Sequence, residues 1–479
     1  MAWLGLDFGT SSAKALLVDD AGTVLARATA SYPLATGPGG QSEQDPGDYL
    51  RACRALLAEI AGAGDIDGIG LVGQNPTQVF VDRSGAPLRP AITWQDMRAV
   101  AEANELAATL GNPVPLVGTS LAWAPTNAPA KLLWLSRHEP ETRRATWLVL
   151  QPKDYVGFAL SGAPLVDAWA SKGICNVLTG EPAYEVMAAV GWPASVVPDV
   201  GLPWAPRGAV TRDASASFGL PTGVPVAVGW SDALAPMLGI GGFDAPCGVI
   251  VTGTSDVGGV VAEDVPSDGG ALYSVPAACA PLPVVYGPTQ TSGAAVAWLA
   301  GLLHLEPAAV VRLAGQCPPA GKGDPPPVFV PYLAGERAPV WRTDVRGAFL
   351  GLSLNHDDAA LARSVLTGVA CTTRHLFDEA ASIVGWRPET IYMGGLAAAD
   401  PVSRAIRAGV LGSPIVVRAE PHSSTLGAAM LGAGAAGVPL NELSRLAGSP
   451  FYYEPPQAEV DAGQQAYARF RAATDCLLS

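Results

Sequence analysis

One local pattern occurs twice in the 479-residue chain. Near the start it reads LGLDFGTSSAK, from Leu4 to Lys14, and near the middle GVIVTGTSDVGGVVAED, from Gly248 to Asp264. In each, an apolar run reads as a buried strand, a Gly-Thr-Ser triplet as a tip and a second apolar run as the returning strand, so each is predicted to be a β-hairpin. Such a tip leaves backbone N–H groups available to an anion, and Asp7 beside the first could hold the cation that accompanies one. The alternative for a single tip is a tight turn whose Thr and Ser satisfy their own backbone. Two tips, each opening half of a roughly bisected chain, point to duplicated domains whose hairpins grip a polyphosphate from both sides.

The length fits two domains, with a boundary predicted near Gly241, giving 1–240 and 241–479. Apolar residues make up 49% and charged residues 15%, the balance of a well-buried globular chain rather than a disordered one. A net charge of -14 argues against nucleic acid and anionic membranes as partners, but not against a nucleotide bound with its metal. The seven cysteines include no C-x-x-C pair, so neither a disulfide framework nor a zinc site is predicted, and reduced thiols in the cytoplasm are. No basic region precedes the first strand, so no signal peptide is expected. The Gly/Ala-rich run from Leu426 to Leu440 is shorter than the ~20 residues of a membrane span and reads as a closely packed helix followed by a loop.

Strands and helices alternate, the signature of an α/β chain. Asp45 and Pro46 suit the N-cap and first position of a helix with Leu50, Cys53, Leu57 and Ile60 on its apolar stripe. A strand from Ile69 to Val72 then runs into the polar loop GQNPT, at a strand end of the kind where α/β proteins place ligand contacts. Turn-rich stretches fall at Pro193 to Pro206 and Pro318 to Pro327. Later come a long helix from about Asp357 to Ile383 closed by Gly385, a strand Ile391 to Met393, a GGLAAAD turn, a helix Pro401 to Leu411 and a strand Ile415 to Val417.

The ordered motifs LDFGTSSAK, SEQDP, GQNPT, ITWQDMR, APAKLLWLSRHEP, PKDY, VGWSDALAPMLG, VTGTSDVG, PYLAGERAP, GAFLGLS and MGGLAAAD span nearly the whole chain. In them the sequence resembles the FGGY family of carbohydrate kinases, and within it looks most like the xylulokinase branch. The resemblance implies two ribonuclease-H-like domains of the actin-like ATPase fold, each a mixed five-stranded sheet flanked by helices, with substrate and nucleotide in an interdomain cleft. It implies ATP and Mg²⁺ as cofactors and a small sugar or polyol as partner, and is compatible with a homodimer. Gly9, Thr10 and Ser11, with Gly253, Thr254 and Ser255, would hold the phosphates of Mg-ATP between the two hairpins, and Asp7 would bind the metal through water. Lys14 could reach a phosphate or be a solvated strand lysine. Gly394 and Gly395 would let the backbone approach adenosine, or merely connect strand to helix. Asp232 matches the general base that takes the proton of the attacking hydroxyl; it could also cap the Ala/Leu helix that follows. Gln74 and Asn75 lie in the sugar loop. Trp94 and Asp96 match a wall of the sugar pocket, with a core Trp and an Asp96–Arg98 salt bridge as the alternative. Glu336 and Arg337 read as a structural ion pair, and the five histidines as surface or helix residues.

The chain departs from the xylulokinase pattern at the sugar. Asn75-Pro76-Thr77 stands where Met-His-Gly is usual, and Ala233 where an Asn follows the base. Two polar sugar contacts are therefore missing, which points to an acceptor other than D-xylulose: a related ketopentose, a pentitol or a tetritol. Ala128 replaces a small hydroxyl residue, and Leu396 a third glycine in the adenosine loop. Two other classes compete with the kinase: a non-catalytic sugar sensor on the same fold, and an Hsp70- or actin-like ATPase. Only 79 residues follow the last motif, fewer than expected for the peptide-binding domain of an Hsp70.

Overall fold

The computed structural model describes residues 1–317 and 324–478, so residues 318–323 of the turn-rich stretch before Pro327 lie outside the described residues. The chain divides into two units. The first takes Met1–Gly239 together with Val275–Pro283 and Ser423–Gly448; the second takes Ile240–Ser274, Val284–His422 and the described residues from Ser449 onward.

In the first unit, Ala2–Phe8 and Ser12–Asp19 form the predicted hairpin, antiparallel from Ala2 opposite Asp19 to Phe8 opposite Ala13. Val24–Ser31 extends it on one side. On the other, Gly68–Gly73 runs parallel to Ala2–Phe8, with Asp7 opposite Val72 and Phe8 opposite Gly73. Two short strands, Pro225–Ala227 and Trp230–Ser231, then pair one after the other with Gly68–Gly73. Gly229 between them has φ +88°, and a Cβ there would come within 2.4 Å of the Leu71 carbonyl, so only glycine makes this step. Pro206–Ala209 closes the sheet at seven strands rather than five, the edge being divided in two at Gly229 and extended by one more strand.

The two faces of this sheet follow from strand alternation. Leu4, Leu6, Ile69 and Leu71 share one core with Tyr49, Cys53, Leu56 and Leu57 of the helix Pro46–Glu59. That helix is capped by Asp45, whose side chain accepts from the Gly47 amide. Leu50, predicted on its stripe, is only partly buried, and Tyr49 and Leu56 take its place. The opposite face is glycine: a Cβ on Gly5 would lie 2.0 Å from the Thr425 carbonyl and one on Gly70 1.7 Å from that of Ala428. This explains why the Gly/Ala-rich helix Ser423–Ala435 belongs to the first unit despite its late position. Its small residues let backbone rest on backbone, and Gly427 meets Ala235 of the short helix Ala235–Gly239 just as closely.

The second unit repeats the plan. Cys247–Thr252 and Asp256–Val261 form the second hairpin, extended by Val284–Pro288 on one side and by the parallel strands Ile391–Gly394 and Ile415–Val417 on the other. Tyr273–Val275 and Phe451–Tyr453 are its edges, so this sheet also has seven strands where five were expected. The long helix is Asp358–Val384, capped by Asp357 and stopped at Gly385 with φ +84°. Among the described residues no single helix is long and apolar enough to cross a membrane. No disulfide joins any two of the seven cysteines among the described residues.

Candidate active site

Three parallel strands of the first unit end level with one another, and each ends in a polar group. Asp7 is the penultimate residue of Ala2–Phe8, Gln74 directly follows Gly68–Gly73, and Asp232 directly follows Trp230–Ser231. Their backbones interlock: the Gln74 amide donates to the Phe8 carbonyl at 2.9 Å and the Asp232 amide to that of Gly73 at 3.2 Å. The sheet itself therefore sets Asp7 and Asp232 level with each other on either side of the Gly73–Gln74 strand end. Burial and then the Asp7 charge push the Asp232 carboxyl up to about 7, against the pull of Lys172 and nearby amides. Burial also raises Asp7, opposed by the Ser424 hydroxyl and the Lys14 ammonium. Two carboxylates with raised pKa values at the ends of parallel strands have the character of a reaction centre rather than of a salt-bridge network.

Both hairpin tips have their carbonyls tied back into the protein. In the first, the Tyr32 hydroxyl donates to the Gly9 carbonyl at 2.5 Å, the Gln44 amide group to that of Thr10 at 2.6 Å, and the Tyr32 amide to that of Ser11 at 3.2 Å. In the second, the Gly293 amide donates to the Gly253 carbonyl at 3.0 Å, and those of Ser292 and Ala294 to Thr254 at 2.9 and 3.1 Å. The amides of Thr10, Ser11, Thr254 and Ser255 find no protein acceptor among the described residues, which is the arrangement an anion needs. Gly9 differs from expectation: its amide donates to Ser12 within the turn at 3.0 Å and is not available. Lys14 is exposed on the returning strand, paired opposite Asp7.

The sugar-loop residues are held more than they are free. Gln74 is fully buried and donates to Gln44 at 2.5 Å, while its carbonyl oxygen has no hydrogen-bond partner. Asn75 donates to the Ala170 carbonyl at 2.6 Å and accepts from Lys172 Nζ at 2.8 Å. Lys131, within APAKLLW, donates to the Pro76 carbonyl at 3.0 Å, and burial lowers its pKa to about 7. Trp94 is half-buried and donates through Nε1 to the Thr10 hydroxyl at 2.9 Å, so it braces the first hairpin tip. Both Asp96 oxygens are engaged by Arg98, and one also by the Ser42 amide at 2.8 Å, which is the salt-bridge alternative. The sequence offered no pointer to Tyr32 or Lys172. Gln44 lay inside SEQDP, where only its neighbours drew attention as helix punctuation.

In the second unit, Arg337 donates to the Ser255 hydroxyl at 3.0 Å and to the Thr289 carbonyl at 2.5 Å. Glu336 instead accepts from the Gln290 and Arg337 amides, at 2.6 and 2.8 Å. The predicted ion pair is thus replaced by two separate tasks, one of them at the hairpin tip. Gly395 has φ +89°, and its Cβ would lie 2.1 Å from the Thr252 carbonyl, while the Thr252 hydroxyl donates to Gly394 at 2.8 Å. The Gly394-Gly395 turn is therefore locked to the base of the second hairpin, and Leu396 stands 76% exposed beside it.

The residues fit a magnesium ion that takes most of its ligands from phosphate and water. Asp7 presents a buried carboxylate oxygen without a hydrogen-bond partner, and no cluster of three or more His, Cys, Asp or Glu exists among the described residues to make an all-protein cage.

Two family models match the chain: the N-terminal domain of the FGGY family of carbohydrate kinases over residues 2–239, and its C-terminal domain over residues 248–436. The xylulose kinase of Escherichia coli is 30% identical over 425 residues, 87% of this chain and 86% of that protein. The gluconokinase of Bacillus subtilis is 25% identical over 475 residues, 94% of this chain and 91% of its own. The crystal structure of xylulose kinase from Rhodospirillum rubrum superposes with a TM-score of 0.87 at 30% identity, covering 100% of this chain and 99% of that one.

Proposed function

Since the chain belongs to the FGGY family of carbohydrate kinases, with their two-domain actin-like ATPase fold, and is a sugar kinase working with ATP, we propose how its own residues carry the transfer. Asp232 is the general base. The acceptor hydroxyl oxygen bonds to the γ-phosphorus of ATP as the bond to the β–γ bridging oxygen breaks. ADP leaves with that electron pair, and the hydroxyl proton passes to Asp232. A carboxyl held at about 7 by burial and by Asp7 is a stronger base than a solvated aspartate, yet is substantially ionised at neutral pH. Thr10, Ser11, Thr254 and Ser255 offer amides and hydroxyls to the phosphate oxygens, with Arg337 steadying Ser255. Asp7 would hold Mg²⁺ through its orphaned oxygen; the ion, when bound, neutralises phosphate charge. Gly394 and Gly395 give the adenosine a close backbone approach.

The observation that carries this reading is the level placement of Asp7 and Asp232 at the ends of the two strands that flank Gly68–Gly73. For the acceptor, the family likeness favours D-xylulose or a related ketopentose or pentitol, the departures at Asn75-Pro76 and Ala233 favour the related compounds over D-xylulose, and a relative named gluconokinase widens the range to sugar acids. The test is ADP release by the purified protein with ATP and Mg²⁺ across such acceptors. Release stimulated by one acceptor supports the reading; stoichiometric acceptor binding without any release favours a sensor instead.

A further inference from the structure

Residues 167–172 carry a buried lysine that the transfer step does not use. Buried ion pairs hold the segment in place: Lys153 Nζ lies 2.9 Å from Asp167 and 2.5 Å from Asp154, which Arg207 also approaches at 3.3 Å. Asp167 in turn accepts the Ala170 amide at 2.9 Å. The result is a fixed position for Lys172, only 8% exposed, with its ammonium 5.0 Å from the centre of the Trp169 ring. It donates to two neutral oxygens, Asn75 Oδ1 at 2.8 Å and the Trp169 carbonyl at 3.3 Å. An ammonium has three protons to donate, and among the described residues no carboxylate lies within ion-pairing distance of this one. Burial lowers it to about 8, and the charges of Asp167 and Asp232 hold it from falling further, so it is mostly cationic at neutral pH.

A buried cation without a paired anion is costly unless a ligand supplies the anion. Asn75 is itself anchored by its bond to Ala170, so its carbonyl oxygen is turned to Lys172. The charges of Asp167 and Asp232 reach this place, so a carboxylate ligand would be kept from them and held at the Lys172 ammonium. We propose that Lys172, with Asn75, forms a carboxylate subsite, and that the acceptor is a polyhydroxy acid of the aldonate class, bound with its acid group on Lys172 and a hydroxyl toward Asp232. This rests on the kinase reading of the site and decides only the class of acceptor. A neutral ketose or polyol would leave the ammonium charge uncompensated.

The experiment is ADP release by the full chain with ATP and Mg²⁺, comparing pentonates and hexonates with the ketopentoses and pentitols of matching length. The expected result is an aldonate whose kcat/KM exceeds that of its neutral counterpart by about tenfold or more, the scale of one charge-assisted contact. Lys172→Gln should lower the acid-to-neutral preference by roughly 10- to 100-fold, and Lys172→Arg should keep most of it. A wild-type protein that prefers the neutral acceptor overturns the inference while leaving the kinase reading intact, and this comparison needs no variant. Equal loss on acid and neutral acceptors in Lys172→Gln also overturns it. Silence with every acceptor overturns the kinase reading itself and this inference with it.

Discussion

The indole Nε1 of Trp94 lies 2.9 Å from the hydroxyl of Thr10, 84 residues away in the chain. This bond, with those of Tyr32 and Gln44 to the neighbouring carbonyls, fixes which side of the hairpin tip faces the protein and which side stays open. A tip whose carbonyls are all engaged presents amides outward without having to reorganise when an anion arrives.

Trp94→Phe keeps the ring and removes the donor. The account expects KM for ATP to rise about 2- to 10-fold, the effect of one neutral hydrogen bond, with KM for the acceptor changed less. If Trp94 serves instead as a wall of the acceptor pocket, steady-state kinetics will show the acceptor KM moving and the ATP KM fixed.

Arg337→Lys removes the terminal nitrogen, Nη2, that donates to both Ser255 and Thr289. A rise in ATP KM of about 3- to 10-fold is expected, since a lysine ammonium, on a shorter and non-planar side chain, does not occupy the position of that nitrogen. Titration of ATP at saturating acceptor reads this directly, and an unchanged ATP KM would detach Arg337 from the hairpin's work.

Gly395→Ala places a Cβ against the Thr252 carbonyl at a backbone angle that favours glycine. A loss of about 1–3 kcal/mol in unfolding free energy is expected, accompanied by weaker ATP binding because the displaced partner is the base of the second hairpin. Denaturant melts with and without ATP separate the two effects.

Asp232→Asn should stabilise the protein at alkaline pH. The Asp232 carboxyl titrates at about 7 when folded and near 3.8 when unfolded, so the folded state prefers it protonated. The cost of ionising it begins to accrue above about pH 4 and is complete above about pH 7. Asparagine never ionises, so at pH 8 the variant should gain about 1–3 kcal/mol over the wild type, discounted for the carboxyl being only half-buried, and little at pH 4. Melting temperatures at the two pH values, without ATP or Mg²⁺, check the sign.

Much of the frame was legible because local chemistry and tertiary packing agree in it. The two hairpins, the Asp45-Pro46 and Asp357 helix starts and the Gly385 stop all declare themselves through turn and cap residues. The Gly/Ala run from Leu426 read correctly as a close-packed helix, but not as part of the first unit, since nothing local to it names the glycines at positions 5, 68 and 70 that receive it. At the site, Asp7, Asp232 and the hairpin tips sit where turn residues mark strand ends. The braces do not: Tyr32, Gln44 and Lys172 act through contacts far apart in the chain, and a lone lysine in the run Asp167 to Cys175 carries no periodic or motif signal. Asp96 and Arg98 were ambiguous for the same reason, because only the Ser42 amide and Glu43 decide what they do.

The central claim is that Asp232 takes the acceptor proton. The measurement that tests it most directly is kcat for acceptor-stimulated ADP release by Asp232→Asn, set beside acceptor affinity measured by calorimetry on the same protein. The account predicts a fall in kcat of about 10²–10⁴-fold with acceptor binding retained. A variant that turns over within about threefold of the wild type would contradict it and move the role of base to another group.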